Sequence, residues 1–126
     1  MTELYQLTAV DIIRDLKARN FSVQELVQAS LNRINQLESE VHAWAYIDAD
    51  IALQQAKRID QQLAEGIEGR LLGVPVGIKD IFNTIELPTQ MGSPIWQGFM
   101  PGNDARVVHY LRMSQAILLG KTVTAE

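Results

Sequence analysis

The stretch Gly73-Val-Pro-Val-Gly-Ile-Lys-Asp80 decides how this chain folds. Val74, Val76 and Ile78 alternate with Pro75 and Gly77, so residues 74–79 read as a short buried strand. Pro75 has no amide hydrogen to offer a sheet partner, which places it at the strand's start or on an unpaired side. The apolar run ends on Lys79, followed by Asp80-Ile-Phe82. A lysine there is expected to be shielded from water. Burial disfavours an ammonium and lowers its pKa, which a lysine base requires. Position alone does not make it catalytic, since most strand-end lysines are solvated.

Working outward from this strand, helices and a second strand type fill the chain. Residues 8–19 read as a helix, with Val10, Ile13 and Leu16 at spacings of three, Thr8 and Asp11 as a capping box with a shorter acid, and Asn20 at the end. Ser22-Val-Gln-Glu25 is a full capping box opening a second helix, whose apolar stripe is Val23, Leu26, Val27, Leu31, Ile34 and Leu37. Trp44 to Ile47 is a short aromatic and β-branched strand. Asp48 or Asp50 caps a third helix to about Glu65, with a thin face of Ala52, Ala56, Ile59 and Leu63, broken by Gly66 and Gly69. Residues 83–104 carry Pro88, Gly92, Pro94, Gly98, Pro101 and Gly102 and read as a long irregular stretch, functional or pinned by missing neighbours. Asp104 caps a helix to about Met113, and Ala116 to Leu119 is a strand. The order α, α, β, α, β, loop, α, β predicts an α/β fold: a mixed, twisted sheet with helices packed on it.

The 126 residues suffice for one modest domain with one core. Apolar residues make up 47%, the level of a globular chain rather than a disordered one. The net charge of -4 lacks the basic footprint of a nucleic-acid binder. With no cysteine, disulfides, thiolate metal sites and a cysteine nucleophile are excluded. The start has no basic region ahead of an apolar run, and runs such as Ala116 to Leu119 are far too short to span a bilayer. A cytoplasmic protein with no direct nucleic-acid or membrane partner is the expectation.

Gly120-Lys-Thr122 invites a phosphate-loop reading, but the Walker pattern needs glycine where Gln115 stands, and the intervening Ala-Ile-Leu-Leu is strand material. A strand running into a turn explains it better. His42 and His109 are isolated, with no second ligand at metal-binding spacing. Each reads as a surface or packed histidine, and Trp44 and Trp96 as packing residues. Glu38, Glu40, Asp48 and Asp50 read as a solvated face. No metal and no cofactor is expected.

Taken whole, GVPVGIKD resembles the lysine motif of the amidase signature family. Leu87-Pro-Thr-Gln-Met-Gly-Ser93 resembles the loop after it, and Asp104-Ala-Arg-Val-Val108 with Leu111-Arg112 the next helix. Gly120-Lys-Thr-Val-Thr-Ala-Glu126 resembles the strand exit before the serine- and glycine-rich signature. The resemblance covers nearly the whole chain, most specifically residues 71–84 and 104–126. It implies that residues 1–126 are the N-terminal portion of a single, incomplete amidase-signature domain. It also implies a Ser-cis-Ser-Lys triad with Lys79 as its lysine. Neutral Lys79 would take a proton through a bridging serine and so activate a nucleophilic serine against an amide carbonyl. Neither serine is present, since Ser22, Ser30, Ser39, Ser93 and Ser114 lie in no Gly-Ser-Ser context. Asp80 belongs to the motif and reads as structural, fixing the local turn. One departure stands out: Met113-Ser-Gln-Ala116 replaces the family's usual Ala-Gly-Ala, so Gln115 would occupy a left-handed helix end at about 1 kcal/mol.

The resemblance implies a small-molecule amide substrate and leaves two activities open. Ile81, where the A subunit of the tRNA-dependent amidotransferase usually has Asn, and Gly120-Lys-Thr-Val-Thr-Ala-Glu126, which looks less like that subunit's Asn-Met-Asp, favour a stand-alone amidase. The alternative is that A subunit, with its partner subunits. A third possibility is a truncated, non-catalytic module. Strands 74–79 and 116–119 are expected to pair with later strands, so this chain alone should expose sheet surface and aggregate or oligomerise, for instance as a homodimer. Alone, it should be inactive.

Overall fold

The computed structural model describes residues 2–125. Thr8 accepts a hydrogen bond from the Asp11 amide at 3.1 Å and opens α1 (Ala9–Lys17). Asp11 pairs with Arg14 at 3.1 Å. The buried stripe of α1 is Ile12 and Leu16, while Val10 is 74% exposed. That is a correction to the spacing-of-three stripe, because residues four apart share a helix face with the core here. Ser22 and Glu25 form the expected box at the start of α2 (Val23–Val41). The Asp60 carboxylate adds to it, accepting from the Val23 and Gln24 amides at 2.8 and 3.1 Å and so tying α2 to α3 (Ala49–Ala64). Asp48 caps α3 through the Ile51 amide.

Among the described residues, three strands form one sheet in the order β1-β3-β2: β1 (Trp44–Ile47), β2 (Pro75–Lys79) and β3 (Ile117–Thr122). β3 is central, antiparallel to β1 and parallel to β2. The strands at 74–79 and 116–119 therefore pair with each other rather than awaiting later partners, and β3 runs on through Lys121 to Thr122. Pro75 sits at the start of β2, as its missing amide requires. The parallel pair is joined by a crossover that includes α4 (Arg106–Met113). Ala105, not Asp104, is the residue before α4. Asp104 instead accepts from the Ile85 amide at 2.9 Å and from Arg112 Nε at 2.7 Å.

The sheet is covered on both faces. Ile12, Leu16, Leu26, Ala56, Ile117 and Leu119 belong to the main core between the sheet and α1–α3. Ile78, Val108 and Leu118 make a smaller core under α4. Leu118 also carries a polar joint: its N–H and carbonyl bond the buried Gln55 carboxamide at 3.0 Å each, so an α3 side chain continues the ladder where β1 has ended.

One irregularity organises the far end of the sheet. Val76 pairs with Leu118 but Gly77 pairs with Gly120, so β3 carries one extra residue there. This β-bulge interrupts the alternation of sides. Lys121 then lies opposite Ile78, on the α4 side, while Gly120 packs toward Trp44 and Ile47. A Cβ built at Gly120 would lie 2.5 Å from the Tyr46 carbonyl oxygen, a backbone atom. Gly120→Ala should therefore destabilise the chain by about 1–3 kcal/mol through forced backbone shift. Urea unfolding would check this, and an unchanged midpoint would show that β1 yields freely.

Candidate active site

Lys79 ends β2 at its carboxyl end, in register with Thr122 of β3. Alternation along β2 places Lys79 with Gly77, on the side opposite buried Ile78. Lys79 is exposed, which corrects the expectation of a shielded lysine. The buried lysine of this chain is another one. Lys121 is 0% exposed and Asp80 1%.

Lys121 Nζ pairs with Asp80 Oδ1 at 3.1 Å and donates to Thr84 Oγ1 (3.3 Å), Pro88 O (3.1 Å) and Thr89 Oγ1 (3.0 Å). Burial pushes the Lys121 pKa below its ordinary value of 10.5, against the opposing pull of the hydrogen bond and charge of Asp80. Asp80 is tied down from every side. Its amide donates to Thr122 O at 3.0 Å, its carbonyl accepts from the Met91 amide at 2.9 Å, and Oδ1 accepts from the Gln90 amide at 3.1 Å. The structural role read for Asp80 is thus realised as a junction of β2, β3 and the 80–91 turn. The long 83–104 stretch is pinned through Thr84, Pro88 and Thr89 by Lys121 of this same chain, not by missing neighbours. A buried charge needs a counter-charge. That signal was available in Ile117-Leu-Leu-Gly-Lys121, where a lysine stands inside an apolar strand. Asp80 also lines an open groove of about 320 Å³ together with Ala45, Gln90, Gly92, Ser93, Pro94 and Gln97.

Other sequence candidates have structural places. His42 is the left-handed C-cap of α2 (φ 53°), and His109 lies beside the Tyr110 ring. Glu38 is not part of a solvated face: its carboxylate accepts from the Ala43 and Trp44 amides at 2.8 Å each. Asp48 is a helix cap rather than a solvated acid. Gln115 does adopt a left-handed backbone, at φ 68°. Its side chain offsets the cost by accepting from the Gly69 amide and donating to Gln62 Oε1. Gln115→Ala keeps the strain and loses those bonds, whereas Gln115→Gly loses the bonds but relaxes the backbone. The alanine variant should therefore be about 1 kcal/mol less stable than the glycine variant in urea unfolding; equal midpoints would remove strain from the account. No helix among the described residues is long and apolar enough to cross a membrane.

The model of the amidase family matches residues 25–126, a span that holds Lys79, Asp80 and Lys121. The chain belongs to the amidase family. Among amidase-family relatives, the A subunit of glutamyl-tRNA(Gln) amidotransferase from Acidothermus cellulolyticus is 42% identical over 123 residues, 97% of this chain and 24% of that protein. Native peptide amidase from Stenotrophomonas maltophilia superposes with a TM-score of 0.87 at 33% identity, over 93% of this chain and 24% of its own. An inhibitor-bound complex described with the origins of an s-triazine catabolic enzyme superposes at 0.90, with 25% identity over 95% of this chain and 27% of that one. The chain thus spans about a quarter of the length of the curated relatives it matches, and its mixed α/β layers are those of the amidase signature enzymes.

Proposed function

We propose that this chain is the N-terminal portion of a serine-dependent hydrolase of amide C–N bonds other than peptide bonds, with Lys79 as its catalytic base. The observation that carries the proposal is the family match across residues 25–126, which includes the GVPVGIKD segment. The position of Lys79 adds support. β2 and β3 are parallel and end together at Lys79 and Thr122, and sites in open α/β sheets form outside the carboxyl ends of parallel strands. In the proposed reaction the nucleophilic serine passes its proton through the bridging serine to the Lys79 amine and attacks the amide carbonyl. Backbone amides of the glycine-rich segment hold the oxyanion. The amine leaves with a returned proton, and water releases the acyl group. Both serines belong to sequence outside these residues, so the 126-residue chain alone should show no amide hydrolysis.

A second reading has its own support. Curated relatives at 36–42% identity are glutamyl-tRNA(Gln) amidotransferase A subunits, whereas Ile81 and the Val123-Thr-Ala-Glu126 ending lean towards a stand-alone amidase. In that reading ammonia comes from glutamine and passes to a charged tRNA with partner subunits present. Assaying ammonia release by the full-length protein separates the two. Release from small primary amides without partners supports the hydrolase, and release only with partner subunits and charged tRNA supports the transferase. No release under either condition would reject both and leave the truncated-module alternative.

A further inference from the structure

The buried pair beneath Lys79 is not balanced. Asp80 Oδ1 receives Lys121 and the Gln90 amide, while Oδ2 is buried without a hydrogen-bond partner among the described residues. A carboxylate has two acceptor oxygens, and leaving one dry and unpaired is unfavourable. The donors around the Lys121 ammonium are all engaged. The three hydrogens of the Lys121 ammonium already face four acceptors. The Thr84 hydroxyl donates to Leu87 O, and the Thr89 hydroxyl to Phe82 O. The missing donor must also be neutral. Asp80 and Lys121 already cancel, and a second cation would leave a net buried charge.

Asp80 follows Lys79 directly, and its ties to Thr122 O, Lys121, Gln90 and Met91 fix the end of β2. The pair lies on the Ile78 side of the sheet and Lys79 on the other. It can thus set the direction of Lys79 without touching it. We infer that Asp80 is a positioning residue for Lys79, and that its Oδ2 is reserved for a neutral N–H or O–H donor from the part of the same protein outside these residues. This rests on Lys79 being the base of the proposed hydrolysis.

The test uses the full-length protein and ammonia release from propionamide and from glutamine, with partner subunits and charged tRNA where they are needed. Asp80→Asn keeps the shape but replaces one acceptor oxygen by an NH2 group. It should lower kcat by about tenfold or more while KM stays within about twofold. Asp80→Leu with Lys121→Met removes both buried charges and should restore the melting temperature. Its kcat should nevertheless stay down by about tenfold or more, because no acceptor remains for the incoming donor. Recovery of kcat together with stability in the double variant would reduce the pair to a structural role and overturn the inference, as would full kcat in Asp80→Asn. Lys79→Ala, run in parallel, keeps the two claims apart. Its activity surviving would sink the catalytic reading, whereas its loss beside an unaffected Asp80→Asn would sink only the positioning role.

Discussion

Lys79→Ala in the full-length protein should lower kcat for amide hydrolysis by about 100- to 10,000-fold, the range associated with losing a positioned acid-base group. The fold of these residues should not change, because Lys79 is exposed at the end of β2 and its truncation empties no core among them. Lys79→Arg is the sharper companion. It retains a cation at the same place, but guanidinium cannot give up its proton to act as a base. Both variants should therefore be inactive and should melt with the parent. Steady-state ammonia release beside thermal unfolding checks this. A Lys79→Arg variant with near-parental kcat would show that the position needs charge rather than proton transfer.

The other large effect falls on stability. Lys121→Met removes the amine that bonds the buried Asp80 carboxylate, Thr84, Pro88 and Thr89, and breaking a buried pair in this way costs about 3–5 kcal/mol. Urea unfolding of the chain should register most of that. The pH dependence has a defined sign. Because burial holds the Lys121 pKa below 10.5 in the folded chain, the unfolded state binds more protons between the two values. The contribution of this group is then present above 10.5, and it is lost as pH falls through the folded pKa. Stability attributable to Lys121 should rise with pH across that window, and the rise should vanish in Lys121→Met. An equal slope in parent and variant would assign it to other groups.

The two lysines also show what could be read in advance. Local signals were legible wherever a few neighbouring residues suffice. The Ser22–Glu25 box, the Asp48 cap, the Trp44–Ile47 strand and Pro75 at a strand start are all decided within one turn or one strand. Pairings between distant segments were not legible. The join of β2 to β3, the Asp60 cap on α2 and the Gln55 bridge to Leu118 depend on which elements meet. Lys79 was expected to be buried because an apolar run precedes it, yet β2 lies at the edge of the three-stranded sheet and its end is open. Lys121 is buried because β3 is central. The glycine-lysine-threonine run resembles a phosphate loop for reasons that belong to the sheet: Gly120 lets the Tyr46 backbone approach, and Lys121 neutralises Asp80.

The extra residue in β3 acts as a frame shift in space. Ahead of it, Leu118 faces α4 and Leu119 faces α1–α3; beyond it the order restarts, with Gly120 on the same side as Leu119. Straightening the bulge with every residue kept would restore unbroken alternation and turn Lys121 out of its cage towards the main core. Every side chain would keep its chemistry, and the composition would not change. The Asp80 junction would still be lost, because the phase of the strand, more than the identity of its residues, delivers the lysine to the carboxylate.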